Sequence, residues 1–369
     1  MKSIKYLLIF PAMAFFILTS CENALDITDT EQSILPEDFR VDIPSSISSD
    51  TGLSGGRPTN QEEPTGDELY DHLRFFIHVG EEASIITSEI IRGIRELNIT
   101  AAASFSYKSD EDGRSKNIEI VEEPVYDGKI WEYGLTISDS DSTVEADSGR
   151  AIQVFWSNSP VEGIAILKPY NIDRANTMEI FKESIYRIDY SEVNNAYDAT
   201  MEVSIVGLPE TYDRYWMSNL KMYVTKKGDF VEVHGSSIHP DAFLFQTDKR
   251  GFSWTFVAAA SEAENIGVAE VGLPPNNLNT DDREALLKTY SMKSVLRNEI
   301  LTLYNGQVTQ EQIDAYLINS EAPGFFNADG FVQGGVKPSD DYDIMINAIE
   351  GLTPYNPSTI NNLRISFLY

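Results

Sequence analysis

The feature that most constrains this chain is the run from Thr100 to Leu273, where short stretches of alternating apolar and polar residues are separated by turn residues. Ala101, Ala103, Phe105 and Tyr107 alternate with Ser104, Ser106 and Lys108. Ile118–Val121, 131–137, 151–156, 163–167, 185–190, 201–206, 220–225, 230–233, 243–245, 252–257 and 266–273 read the same way. A period of two puts alternate side chains on opposite faces of a strand. Lys226-Lys227-Gly228-Asp229 and Asp248-Lys249-Arg250-Gly251 are hairpin turns. The connections are too short for crossover helices, so neighbouring strands must run antiparallel. About ten strands are expected, one face buried and the other wet.

Helical spacing flanks this block. Thr65-Gly66-Asp67-Glu68 has the pattern of a capping box, and Leu69, Leu73, Phe76, Ile77, Ala83, Ile86, Ile90 and Ile94 follow at helical intervals. The spacing predicts a helix over 67–97, bent or broken at Gly80 and Gly93. Helical spacing resumes from Asp281 to Tyr304, and Thr309-Gln310-Glu311-Gln312 opens a short helix to about Asn319. A glycine-rich loop, a helix over 341–349 and a closing strand with Leu363, Ile365, Phe367 and Tyr369 on one side complete the chain.

The expected fold is therefore α+β: a mainly antiparallel curved sheet, as a half-barrel or barrel, with the N-terminal and C-terminal helices packed on it. It divides into 67–275, a helix plus antiparallel β domain, and 276–369, a helical annex ending in a strand. A two-sheet β-sandwich is the alternative. The element order resembles the lipoprotein-carrier and mycobacterial lipid-binding lipoprotein fold, in which a concave sheet holds acyl chains. The sandwich would instead resemble bacterial fimbrial subunits and surface glycan-binding lipoproteins.

The first residues carry an address. Lys2 and Lys5 precede an uncharged run from Tyr6 to Leu18, too short to span a bilayer as a helix but suited to a secretory signal. Leu18-Thr19-Ser20-Cys21 resembles the lipobox of bacterial lipoproteins. The resemblance implies that residues 1–20 are a signal peptide and that the Cys21 thiol takes a diacylglycerol, with a further acyl group such as palmitate on its amine. It implies anchoring outside the cytoplasm, at the outer membrane on its periplasmic or surface side. Cys21 is the only cysteine, so an intrachain disulfide is excluded. Residues 21–66 hold ten acids against Arg40 and Arg57, with four prolines; that composition reads as a disordered acidic tether.

A formal charge of -30 opposes nucleic acid and anionic headgroups. The expected partner is the membrane, through the lipid anchor; a protein or glycan partner is left unassigned. There is no phosphate loop and no His-Glu-x-x-His helix, so the chain reads as non-catalytic. His234 and His239 with Asp241 could begin a zinc site, but lie in a turn-prone stretch without a metalloprotease motif. Asp139, Asp141 and Glu145 offer oxygens for calcium, without the spacing of an EF-hand; calcium is the one cofactor entertained. Trp131, Trp156, Tyr212, Tyr215, Trp216 and Trp254 are the candidate ligand-binding aromatics, set against ordinary core packing. Two functions remain: a binding protein for a lipid or other apolar ligand held inside a curved sheet, or a surface-exposed structural, adhesion or glycan-binding lipoprotein.

Overall fold

The computed structural model describes residues 34, 39–50, 63–96, 101–109, 112–193, 195–210, 214–246, 248 and 250–368. Helix α1 (Gly66–Arg95) is continuous. Thr65 caps it, its hydroxyl accepting from Glu68 N at 3.3 Å, with Asp67 and Glu68 in the first turn and Arg92 and Arg95 in the last, each complementing the helix dipole. Neither Gly80 nor Gly93 interrupts it. Gly80 is instead a contact point, where a Cβ would strike the side chain of Met222.

The strands are β1 (Ala103–Lys108), β2 (Ser115–Glu122), β3 (Val125–Tyr126), β4 (Lys129–Ile130), β5 (Tyr133–Asp139), β6 (Arg150–Asn158), β7 (Val161–Leu167), β8 (Ile185–Ser191), β9 (Ala199–Val206), β10 (Asn219–Lys227), β11 (Phe230–His239), β12 (Phe252–Ser261), β13 (Ile266–Gly272), β14 (Gly324–Asn327) and β15 (Gly330–Gly334). Apart from the β3–β4 hairpin they form one thirteen-stranded sheet in chain order from β1 to β15. Every pairing is antiparallel. The sheet has two ends and is not closed, so the closed-barrel expectation does not hold; the strands also belong to one hydrogen-bonded sheet rather than two.

Helix α1 crosses the strands rather than running along them. Tyr70 packs on Phe326 of β14 and Phe331 of β15. Phe76 meets His239 of β11 and Trp254 of β12, and Gly80 meets Met222 of β10. Ten helical residues advance about 15 Å, close to the four strand spacings of about 4.8 Å traversed.

Short α2 (Pro169–Ile172) follows β7; α3 (Met292–Tyr304), α4 (Gln310–Tyr316), α5 (Asp343–Glu350) and α6 (Pro357–Asn361) lie in the C-terminal third. Met292, Leu296, Ile300 and Ile313, from α3 and α4, join the core on the α1 side. On the opposite face Met345 and Ile349 of α5 cover Val257, Ala259 and Val268. Phe367 and the β3–β4 hairpin cover Phe155, Ile164 and Ile166. The expectation of one wet face therefore fails where these elements lie: every residue of β12 is buried, because it is covered from both sides.

Other expectations are corrected. Residues 39–50 fall within the expected tether, yet Phe39, Val41, Ile43 and Ile47 are core residues. Acids, prolines and serines surround these apolar side chains in the sequence and give the stretch the composition of a tether. The Phe39 ring lies over Gly163, where a Cβ would come within 2.6 Å of it. The glycine-rich loop contains β14 and β15; Gly324 needs to be bare because the Tyr70 ring lies against its backbone. Phe243–Phe245 is not a strand. The Phe243 carbonyl accepts from Arg214 Nε (2.9 Å) and the Phe245 amide donates to Glu299 (3.0 Å), so side chains replace a ladder. The predicted 281–304 helix begins with a wide turn over Glu284–Thr289 before α3. Residues 363–368 pair with no strand. Instead the Gln153 amide clamps Leu368, accepting from its N (2.7 Å) and donating to its O (3.3 Å). The C-terminal annex thus contributes two strands to the sheet and covers both of its faces.

Candidate functional site

Strand direction gives the molecule two unlike poles. At one, the connections are mostly short: 159–160 between β6 and β7, 228–229 between β10 and β11, and 262–265 between β12 and β13. The chain arrives here. The Ile34 carbonyl accepts from Trp156 Nε1 (2.8 Å) and Asn158 Nδ2 (2.6 Å). Phe39 packs on Tyr190, and the Ser46 amide donates to Asn265 at 3.0 Å. At the other pole lie the long connections 109–114, 140–149, 168–184, 207–218 and 240–251. Long connections on a rigid scaffold are where recognition usually resides.

Three of these loops are tied together by a charge network under the loop pole. Asp139, at the end of β5, has a fully buried side chain. It accepts from Arg114 Nη2 (3.0 Å) and Lys116 Nζ (3.2 Å). Lys116, only 2% exposed, also donates to Asp112 (2.8 Å) and to the Asn171 carbonyl (3.0 Å). Arg174 grips Glu145 through two nitrogens at 2.7 and 2.8 Å. Lys168 and Asn171 hold Asp147 at 2.5 and 3.0 Å. Four cations, Arg114, Lys116, Lys168 and Arg174, thus meet four anions, Asp112, Asp139, Glu145 and Asp147. Burial alone would raise the Asp139 pKa, but hydrogen bonds from Arg114 and the charge of Lys116 hold it down to about 2. Asp112, Asp147 and Glu145 are also held below the usual carboxylate range. For Asp112 and Asp147 hydrogen bonds from Lys116 and Lys168 outweigh burial; for Glu145 the Arg174 hydrogen bond leads.

The carboxylates offered for calcium have protein partners in this network. The carboxylates of Asp139 and Glu145 are already neutralised by arginine and lysine, and Asp141 joins through its backbone, donating to Asp139 Oδ1 at 3.0 Å. Among the described residues no group of three or more acids, histidines or cysteines is arranged to hold a metal. His234 and His239 stand five residues apart on β11 and so face opposite sides of it. His239 is buried, contacts the Tyr215 carbonyl and Ser237 Oγ, both at 2.7 Å, and is held by burial at a pKa of about 3.

The candidate aromatics do not form one site. Trp131 lies outside any strand on the C-terminal side of the sheet, its Nε1 donating to the Tyr126 carbonyl at 3.2 Å, under the Lys129 ammonium at 4.1 Å. Trp156 is in the core on the α1 side, stacked on Tyr133. Tyr215 and Trp254 are fully buried and packed together with ring centroids 5.5 Å apart. His72, Phe76 and His239 crowd the same tryptophan. Trp216 is half-buried in the 207–218 loop. Tyr212 and Cys21 lie outside the described residues. The sequence reading missed the ion network: Arg114 and Lys116 lie on one stretch of chain and Lys168 and Arg174 on another some fifty residues on, and no local motif joins them. It also missed a clasp at the other end of the core, where Glu81 of α1 accepts from the Ile43 amide (3.1 Å) and from Ser48 Oγ, beside His78 and Glu82.

Compared with known proteins, the chain matches no protein-family model, no curated protein sequence and no solved structure.

Proposed function

We propose that this is a non-catalytic lipoprotein, anchored outside the cytoplasm through Cys21, that presents the loop pole as an interaction surface for a protein or glycan partner. The observation that carries it is the polarity of the body: the chain arrives at one end of the strands, and the long loops, organised by a buried ion network, lie at the other. In this reading the open sheet is a half-barrel bent around α1. The lipid-carrier alternative called for the large aromatics to line a cavity. Trp156, Tyr215 and Trp254 are instead packed ring against ring, which favours a filled core and the surface-interaction reading.

The test uses the natural chain and a Cys21→Ala variant in a bacterial host. A diacylglyceryl mass on Cys21, membrane partition lost in the variant, and a ligand-free native mass of the body support the proposal. Soluble wild-type protein overturns the anchoring, and a stoichiometric solvent-extractable lipid overturns the filled-core reading in favour of a carrier. The body must include residues 39–50, since their apolar side chains are part of the core.

A further inference from the structure

On the outer face of the sheet, opposite α1, one row of cross-strand neighbours is covered at both ends and open in the middle. It runs from Ile164 of β7 through Asp189 of β8, Glu202 of β9, Tyr223 of β10 and His234 of β11 to Val257 of β12. Ile164 packs in the cluster that holds Phe367, and Val257 in the cluster that holds α5. The open stretch from β8 to β11 is three strand spacings wide, about 14 Å. Arg187 and Lys221 stand in the next row, on either side of Ser204. Tyr355 reaches over β11 from the segment between α5 and α6, its carbonyl accepting from Ser236 Oγ at 2.7 Å.

These side chains hold one another in place. The Tyr355 hydroxyl donates to Glu202 Oε2 at 2.7 Å. Lys221 Nζ lies 2.8 Å from Glu202 Oε1 and 4.8 Å from the centre of the Tyr355 ring. Arg187 donates to Asp189 through Nε and Nη2 at 2.8 and 2.7 Å, and through Nη2 to Asp127 in the turn of the β3–β4 hairpin. The side chains of Arg187, Asp189, Glu202 and Lys221 are 22–29% exposed, so they are fixed yet reachable. The His234 ring stands between Tyr223 and Tyr355, its centroid 5.5 and 5.4 Å from theirs. Burial lowers the His234 pKa, so at neutral pH the ring offers one donor and one acceptor. Among the described residues neither its nitrogens nor the Tyr223 hydroxyl has a hydrogen-bond partner.

Charge narrows the ligand. Asp189 is paired with Arg187 and Glu202 with Lys221, so an ionic ligand meets no free counter-charge. Each carboxylate still has acceptor capacity, since an ionised carboxyl offers about four lone-pair sites. The ligand that fits is neutral, carries hydroxyls that both donate and accept, and has an apolar face for an aromatic ring. We propose that this strip binds a neutral saccharide, one sugar ring stacking on His234 and Tyr223 and its hydroxyls bonding to Asp189, Glu202 and Lys221. The site lies on the face of the sheet and not at the loop pole, and it does not depend on the lipidation of Cys21.

The experiment uses the full chain in a detergent without a sugar headgroup. It is applied to an array of neutral saccharides ending in glucose, galactose, mannose or an N-acetylhexosamine, and retained glycans are titrated by calorimetry. The expected result is retention on the array, with binding weakened about tenfold by His234→Ala or Tyr223→Ala, the loss of one ring contact. Tyr223→Phe keeps the ring and most of the affinity. Glu202→Gln keeps the shape of the side chain and lowers affinity several-fold, and it carries the test where an alanine variant fails to fold. Met178→Ser and Ile180→Ser, exposed in the 168–184 connection at the loop pole, leave binding unchanged. No retention overturns the proposal, as does retention that His234→Ala and Glu202→Gln do not weaken. Binding lost in the Met178 or Ile180 variant alone places the glycan at the loop pole and overturns this site while supporting that one. Self-association abolished by His234→Ala, without retention on the array, means that a second copy covers the strip, and also overturns it.

Discussion

Replacing Asp139 by Asn tests the ion network that organises the loop pole. The shape of the side chain is kept and its charge removed. Asp139 is fully buried and held at a pKa of about 2, against about 3.9 in an unfolded chain. A folded-state pKa below the unfolded one means that the ionised form stabilises the fold. That stabilisation is fully present above about pH 4 and is lost as pH falls through about 2. At 1.36 kcal/mol per pKa unit the ionisation contributes about 2.5 kcal/mol at pH 7, about 1.3 at pH 3 and under about 0.5 at pH 2. Removing one partner of a buried ion pair costs about 3–5 kcal/mol when the other charge is stranded. Lys116 keeps Asp112 and the Asn171 carbonyl, and Arg114 is 31% exposed and can be rehydrated. The expected cost of Asp139→Asn is therefore about 2–4 kcal/mol at neutral pH, by combining those two magnitudes. Urea unfolding followed through tryptophan emission reads it, because Trp156 and Trp254 are buried. The gap between wild type and variant should narrow on acidification. A cost below about 0.5 kcal/mol at pH 7, the range of an exposed pair, or a gap that stays constant down to pH 3, would refute the reasoning.

Phe39→Ala should destabilise the body by about 3–5 kcal/mol, the usual cost of truncating a buried aromatic; a change within about 0.5 kcal/mol in the same unfolding assay would return residues 39–50 to the tether. Phe367→Ala should cost about 2–4 kcal/mol and accelerate amide exchange at Leu368, whose N–H is held by Gln153; unchanged exchange there would mean that the 363–368 segment is held some other way. Burial lowers the His78 pKa, but Glu81, Glu82 and Asp50 outweigh it and hold the group above its ordinary value. The stabilisation from protonated His78 is thus present below the unfolded pKa of about 6.5 and lost as pH rises through the folded one. Amide exchange at Ile43, corrected for its intrinsic pH dependence, should be better protected at pH 5.5 than at pH 8.5, and His78→Ala should abolish that difference.

Periodicity alone was enough to establish an α+β chain dominated by antiparallel strands. Alternation is local, and turns such as Lys226-Lys227-Gly228-Asp229 allow no other connection. The helix at 66–95 was legible almost to its ends, because its cap and its apolar stripe are written in consecutive residues. What tertiary structure decided was how many strands join and what covers them. Strands β14 and β15 were hidden among glycines, and the reason for one of them, Gly324, is the Tyr70 ring, a partner some 250 residues away in sequence. The burial of both faces of β12 depended on helices from the far end of the chain. Phe39 and Ile47 look like parts of a tether until the hydrophobic core that receives them is in place. The balanced network around Asp139 joins residues from 112 to 174 through side-chain distances that carry no sequence spacing. Local patterns specify local backbone; the pairing of distant charges and the covering of a sheet face are properties of the assembled chain.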